Sequence, residues 1–412
     1  MGSVISRLTS VFNPPEVAKS ENALRFGILG AANVTTLALL GPAKSHPEVV
    51  LQAVASRDLK KAQAYAQKNG IPEARGSYQE IIDDPNIDCV FIPLPNSMHF
   101  EWAVKAIRAG KHVLLEKPSV SNTTEAETLF NLPELSKPDG PVLMEAFHNR
   151  FHPAWALFTS LVKPEEVAHV VSKFSIPWWG TSKGDIGFNY SLSGGTMMHI
   201  GTYNFAAIRD VFGAEPEECL SCDVGIFKGN PMAMDKIDGS FKTTFRFPNG
   251  GIAEAEGSFR GGTILTPSSV VVTHKEVVVP DDMLPPSQQK SLTREVTIYE
   301  FIQSVAWHRV DIKDAFVIRN SKDNKVIKKW EEKKSQKAYT FREAGGQFSE
   351  LPGETFWSSY RHQLEQFVNR VKGRETRYWI DRQDSVNQMR MVDLAYEKSG
   401  LGRRPTSTFK VE

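Results

Sequence analysis

The chain is short of cysteine, of net charge and of long apolar runs, and each shortage removes a class of function. Three cysteines in 412 residues cannot build a disulfide framework. Cys219 and Cys222 form a C-x-x-C pair in "EECLSCDVGIF", but a zinc site needs about four ligands. No second Cys/His pair stands at suitable spacing, so the pair reads as two residues of a strand in a reducing cytoplasm, and no metal is expected. The formal net charge is +1, so no long-range field favours nucleic acid or an acidic membrane. No apolar run approaches the roughly 18 residues that cross a bilayer.

What is present suits a globular protein of about two domains, with 41% hydrophobic and 24% charged residues. Residues 1–22 stand apart as an extension. They lack the apolar core of a signal peptide but match M-G-x-x-x-[ST], the myristoylation pattern, with Gly2 and Ser6 in place. Val4, Ile5, Leu8, Val11 and Phe12 fall on one helical face. A lipid anchor and an arm packed on a partner are the two readings, and a single acyl chain binds membranes only marginally.

Residues 23–149 alternate strand and helix. "LRFGILG", "VVLQAVASRD", "DCVFIPLP", "HVLLEK" and "PVLMEAFH" are apolar strands separated by helical segments. Such runs predict a parallel sheet covered on both faces, doubly wound by right-handed crossovers. Residues 150–412 change character. "VAHVVSKFSIP", "SCDVGIFKG" and "GSFKTTFRFPNGGIAEAEGSFR" are strands without intervening helices, and "PNGG" is a hairpin signal. The predicted class is α/β: a Rossmann-type sheet, then an α+β domain with a large, mainly antiparallel sheet. Residues 275–345 are polar and read as an irregular surface elaboration.

The first strand ends in Gly30, Ala31, Ala32, Asn33 and Val34, the place for a dinucleotide fingerprint where backbone meets pyrophosphate. The pattern is degenerate, since Ala32 and Thr35 stand where glycines are usual. The second strand ends in Ser56-Arg57-Asp58. A carboxylate there would bond the ribose hydroxyls of NAD. Arg57 instead offers a planar cation to a 2′-phosphate and Ser56 a hydroxyl, so NADP(H) is expected. Pro95, Asn96 and His99 lie at the carboxyl edge of the third strand, where ligands bind in this architecture; helix capping is the other reading for Asn96.

"GKHVLLEKPSV" sets Glu116 and Lys117 directly at the end of an apolar strand and locks them with Pro118. Burying an unpaired charge is unfavourable, and proline cannot continue a central strand. The carboxyl ends of the strands form the ligand crevice, so Lys117 is placed to project beside a bound nicotinamide. With "FGILGAANV", "MEAFHNRFHPAW" and "GDIGFNYSLSGGTMMHIGTYNFAAIRDVFG", this block resembles the glucose-fructose oxidoreductase / inositol dehydrogenase / MocA family over residues 24–405. The nearest branch resembles NADP-dependent D-xylose dehydrogenases and dimeric dihydrodiol dehydrogenases. The resemblance implies a homo-oligomer formed through the C-terminal sheet.

It also implies roles. Lys117 matches the family lysine that holds the reacting oxygen, with Glu116 beside it. Tyr203 occupies the catalytic His/Tyr position of a glycine-rich turn, suited to acid–base work. His199 stands where the family carries Asp and is expected to share a helix face with Tyr203 and to orient both partners. Gly187 stands where relatives often carry arginine. His148, Arg150 and His152 are expected on one side of an extended segment, the first two touching substrate, with Trp178 as an apolar platform. The expected reaction moves hydride between nicotinamide and a carbinol carbon of a sugar or cyclic diol, with D-xylose oxidised to its lactone as the first case. A regulator of the same fold without turnover, and a reductase of a non-sugar carbonyl or imine, are the alternatives.

Overall fold

The computed structural model describes residues 2–411 apart from Trp178, Lys183, Ile264, Leu265 and Arg377. Trp178, expected as a substrate platform, therefore lies outside the described residues. Six strands build the first sheet: β1 (Leu24–Leu29), β2 (Val49–Ala55), β3 (Glu73–Arg75), β4 (Cys89–Ile92), β5 (His112–Leu115) and β6 (Leu143–Glu145). They run in the order β3-β2-β1-β4-β5-β6, every pair parallel. β4 is buried along its whole length, which is why it reads as a continuous apolar run rather than an alternating one. The order reverses between β1 and β4, so the carboxyl ends of β1, β2, β4 and β5 open onto one crevice.

Nine strands form the second sheet: β7 (Val167–Pro177), β8 (Glu218–Ile226), β9 (Asp238–Arg246), β10 (Ile252–Gly262), β11 (Ser269–His274), β12 (Val277–Val278), β13 (Gln288–Tyr299), β14 (Arg309–Asn320) and β15 (Val326–Gln336). The sheet is mixed: β7 and β10 pair in parallel and the other pairs are antiparallel. The "PNGG" turn joins β9 to β10, with Gly250 at φ 81°. Cys219 and Cys222 lie on β8 as free thiols. On one face Ala253, Ala255 and Phe259 are buried in the core. On the other, Lys242 pairs with Glu254 and Glu256, and Lys173 with Glu256.

The expectation for 275–345 is corrected. This segment holds β12 to β15 and extends the sheet. The apolar period is missing because β15 is an edge strand with almost every residue exposed. Cross-strand pairs hold it instead: Lys313 to Glu331 at 3.1 Å, and Phe316 stacked on Trp330 at 5.0 Å. Lysines along such an edge also oppose pairing with another chain.

The N-terminal segment is a helix, Gly2–Phe12, with Ile5 and Phe12 exposed and Arg7 stacked 3.9 Å above the Tyr339 ring. Among the described residues no helix is long and apolar enough to cross a membrane.

The chain closes by returning to its first half. Helix Arg382–Lys398 packs on helix Thr123–Phe130, and the tail beyond it carries Arg404 into the interior. The Arg404 and Asp238 side chains are wholly buried and 2.9 Å apart. Asp238 also accepts from the Tyr396 hydroxyl at 2.9 Å and the Met197 backbone N–H at 2.7 Å. Asn122 of the first half donates to the Arg404 carbonyl at 3.0 Å. Gly195, at φ 132°, passes so close that a Cβ would collide with the Asp238 carboxylate and the Tyr396 hydroxyl. Removing one partner of such a pair strands a buried charge, at about 3–5 kcal/mol. Arg404→Ala is expected to lower the unfolding free energy by about that amount, read from the urea midpoint at unchanged slope.

Candidate active site

Each catalytic candidate is placed by a local device. β5 delivers Glu116 and Lys117 to the crevice, and the Lys117–Pro118 bond is cis. Facing it, residues Met197–Gly201 form a π-helical turn that leads into helix Thr202–Phe212. Such turns break the regular carbonyl ladder and recur at functional sites. The Asp238 carboxylate anchors the start of this turn through the Met197 N–H, and the Asp238 carbonyl accepts from the Thr196 hydroxyl at 2.6 Å.

The two halves meet at Lys117. Its ammonium donates to the His199 carbonyl at 2.7 Å and lies 4.6 Å from the centroid of the Tyr203 ring, a cation–π distance. The Tyr203 hydroxyl is 3.0 Å from His148 Nε2. His148 Nδ1 is 2.7 Å from the Ser359 hydroxyl, and its ring stacks on Tyr360 at 3.8 Å. Lys117 is only half-buried and so stays reachable from the crevice.

The electrostatics follow from this packing. Burial pushes the Lys117 ammonium down to about 8, opposed by Glu116 and Glu145. Burial pushes Glu116 up to about 7, opposed by Lys117; one of its oxygens accepts from the Lys117 N–H at 3.2 Å and the other has no hydrogen-bond partner among the described residues. Burial, then the Lys117 charge, lower both His148 and His199 to about 3, so both rings are neutral. Burial drives the Tyr203 phenol well above its ordinary range, with Tyr360 and Glu116 adding to it. The cluster thus offers a cation that can lose its proton near neutrality beside a phenol that keeps its own.

Several expected contacts are corrected. His148–Phe151 is a 3-10 turn, not an extended segment. Each residue rotates about 120° there, so the three polar side chains diverge. His148 reaches Tyr203. Arg150 is spent on Asp210, on Asp384 at 2.6 Å and on the Tyr378 hydroxyl at 2.6 Å, so it is an interior ion-pair group and not a substrate contact. His152 caps helix Pro153–Ser160. His99 is buried with its ring nitrogens 2.9 Å and 2.7 Å from the Pro118 and Leu94 carbonyls. It braces the loop after Lys117 rather than meeting cofactor. Asn96 does not cap, since Pro95 holds that position. Its amide donates to the Ser193 carbonyl at 3.0 Å and ties the halves together, beside the Ser193–Ser121 hydroxyl pair at 2.9 Å. The His199 side chain does not orient Lys117, because the residue's carbonyl does. Its ring lies 5.5 Å from Phe259, and its Nδ1 has no hydrogen-bond partner among the described residues. A Cβ on Gly187 would come within 3.5 Å of that nitrogen.

The cofactor edge fits a dinucleotide. Gly30, at φ 112°, turns the chain away from β1, and a Cβ there would press Leu94 at 3.1 Å. Ala31 and Ala32 are half-buried, and Asn33 and Val34 exposed, on the loop that follows. Arg57 is exposed at the end of β2, while Ser56 is buried. Asp58 is turned to the cap of helix Leu59–Asn69, its Oδ1 accepting from Lys60 and Lys61 N–H, which directs one of its oxygens away from a ribose.

Ser359, Tyr360, Asp238, Arg404 and Ser193 were not singled out in the sequence. They lie far along the chain from Lys117, and no local motif marks them.

The two-domain fold has counterparts among known proteins. Residues 24–137 match the oxidoreductase family with an NAD-binding Rossmann fold, and residues 165–270 match the GFO/IDH/MocA C-terminal domain. The chain is 29% identical to a D-xylose 1-dehydrogenase (NADP(+)) of Haloferax volcanii over 92% of its length and 98% of that protein. It is 33% identical to the trans-1,2-dihydrobenzene-1,2-diol dehydrogenase of Mus musculus over 48% of this chain and 59% of that protein. With most of the curated relatives it matches, the chain spans a little under three fifths of their length. A 3-ketoreductase from Actinomadura kijaniata, solved with NADP and TDP-benzene, superposes with a TM-score of 0.67 at 20% identity over 92% of this chain and 98% of that one, a likeness of fold. With both domains matched and the Lys117 cluster seated between them, the chain belongs to the GFO/IDH/MocA oxidoreductase family.

Proposed function

We propose that the protein is an NADP(H)-dependent oxidoreductase that moves hydride between the nicotinamide and a carbinol carbon of a sugar or cyclic diol, with a D-xylose-type pyranose as the first substrate to try. The observation that carries this reading is Lys117, held half-buried at the end of β5 against the His199 carbonyl and the Tyr203 ring. The relatives named above support the substrate class, and Arg57 with Asp58 turned to a helix cap supports NADP over NAD.

When bound, the nicotinamide supplies the hydride chemistry. Gly30 to Val34 would hold its pyrophosphate and Ser56 with Arg57 its 2′-phosphate, while Glu116 lies beside Lys117. The chain's own residues do the rest. Lys117 holds the reacting oxygen by exchanging the His199 carbonyl for it. As a cation it polarises a carbonyl; as an amine it accepts from a hydroxyl. In reduction Tyr203 gives its proton to the reacting oxygen and regains one from the Lys117 ammonium beside its ring; in oxidation both transfers reverse. His199, neutral and packed against Phe259 and the buried Gly187, sets the substrate-facing wall.

Three outcomes are expected. Lys117→Ala lowers kcat by about 10²–10⁴ while the dissociation constant for NADPH, read by fluorescence, changes by less than about 3-fold; a variant with near wild-type turnover rejects the assignment. Arg57→Ala weakens NADP⁺ by about 10- to 100-fold, the worth of a charge-assisted hydrogen bond, and leaves NAD⁺ unaffected. Because carbonyl reduction needs the ammonium and burial places Lys117 at about 8, the reductive kcat falls as pH rises through about 8, checked by a pH–rate profile from 6 to 10.

A further inference from the structure

His148 makes no hydrogen bond to Lys117, yet both of its ring nitrogens are partnered and its ring is stacked. It is 1% exposed, stacked on Tyr360 with the planes 23° apart, and set edge-on to Tyr203 at 5.6 Å. Each ring nitrogen has a defined neighbour: Nδ1 the Ser359 hydroxyl at 2.7 Å, Nε2 the Tyr203 hydroxyl at 3.0 Å. A neutral imidazole carries one hydrogen, so one nitrogen donates and the other accepts.

Hydrogen-bond satisfaction decides which. Ser359 is 2% exposed, and among the described residues its hydroxyl has no hydrogen-bond partner other than His148 Nδ1. The Tyr203 hydrogen has a second place to go, the substrate oxygen at the crevice, whereas the Ser359 hydrogen has only Nδ1; a buried hydroxyl hydrogen left without an acceptor is unfavourable, so the Ser359 hydrogen goes to Nδ1. Nε2 then bears the ring hydrogen and points it at the Tyr203 oxygen. The stack on Tyr360 blocks the ring from turning over. Ser359 is itself held at the start of helix Ser359–Val371, which Ser358 caps.

We propose that His148 is a positioning residue whose Nε2–H, set by the Ser359 hydroxyl, donates to the Tyr203 oxygen and so leaves the Tyr203 proton free to point at the reacting oxygen of the substrate. With the opposite tautomer the phenol proton would be locked onto His148 and turned away from substrate. The ring moves no proton itself: it serves as a fixed donor that also stabilises negative charge on the phenol oxygen. This rests on the reading in which Tyr203 passes the proton.

The test has two arms on the full chain. In the first, the ¹⁵N resonances of the histidine rings are recorded at pH 7, with those of His148 identified by their loss in His148→Gln. The expected result is a neutral ring protonated at Nε2, and loss of that single tautomer in Ser359→Ala; a wild-type ring protonated at Nδ1 overturns the proposal. In the second, His148→Gln, which keeps an amide donor, holds kcat within about 10-fold. His148→Leu lowers it by about 100-fold, with NADPH binding changed by less than about 3-fold in both. Equal kcat for the two variants overturns it. Absence of wild-type turnover on every substrate would defeat the proposed reaction by itself, while the tautomer measurement would still decide the hydrogen-bond assignment.

Discussion

The hydrogen bond from Lys117 to the His199 carbonyl is the contact on which the rest of the molecule is arranged. It places a cation from a parallel sheet against a helix that belongs to another sheet. Neither half can hold it alone. β5 supplies the side chain but no acceptor for it, and the π turn supplies a carbonyl with no local donor. Burial makes the pairing consequential: the same packing that lowers Lys117 to about 8 raises Glu116 to about 7. A solvated lysine would stay cationic through the physiological range.

Two buried polar networks keep that contact in register. One runs from Asn122 through Arg404 to Asp238 and ends at the Met197 N–H, at the start of the π turn. It links the first domain, the C-terminal tail and β9 to the turn that carries His199. The Arg404 cation is also faced by the rings of Tyr396 at 3.9 Å and Tyr190 at 5.3 Å, which offset the desolvation of nitrogens without hydrogen-bond partners. The other network centres on Arg150 and Arg209, which share Asp384 and tie helix Arg382–Lys398 to helix Thr202–Phe212. Such networks are poor sources of net stability, but they admit one relative placement of the elements they join.

Legibility followed the range of the interaction. β4 and β5 were readable because strands covered on both faces are apolar without a break. Lys117 was readable because a charge and a proline after such a run contradict the run itself. β15 was not readable: an edge strand exposed on both faces has no apolar period, and its stability comes from neighbours such as Glu331 and Trp330 meeting β14. His148 and Arg150 are legible as polar residues, but the directions they take are not, because a single 3-10 turn carries no pattern of its own. That Asp58, at the end of β2, is a helix cap shows only once the backbone N–H groups of Lys60 and Lys61 are placed.

The sequence by itself determined five of the six strands of the sheet in residues 24–145, all but the three-residue edge strand β3, together with the crevice at its carboxyl edge and the presence there of Lys117, Arg57 and Gly30. All of these are written in periods of a few residues and in the residue types that end a strand. Only the tertiary structure decided what those groups face. The acceptor for Lys117 lies 82 positions away, His148 and Ser359 are separated by 211, and Asn122 meets Arg404 across 282. Burial, tautomer and proton affinity depend on these meetings. They arise from packing between distant segments, and packing of that range leaves no mark in local spacing.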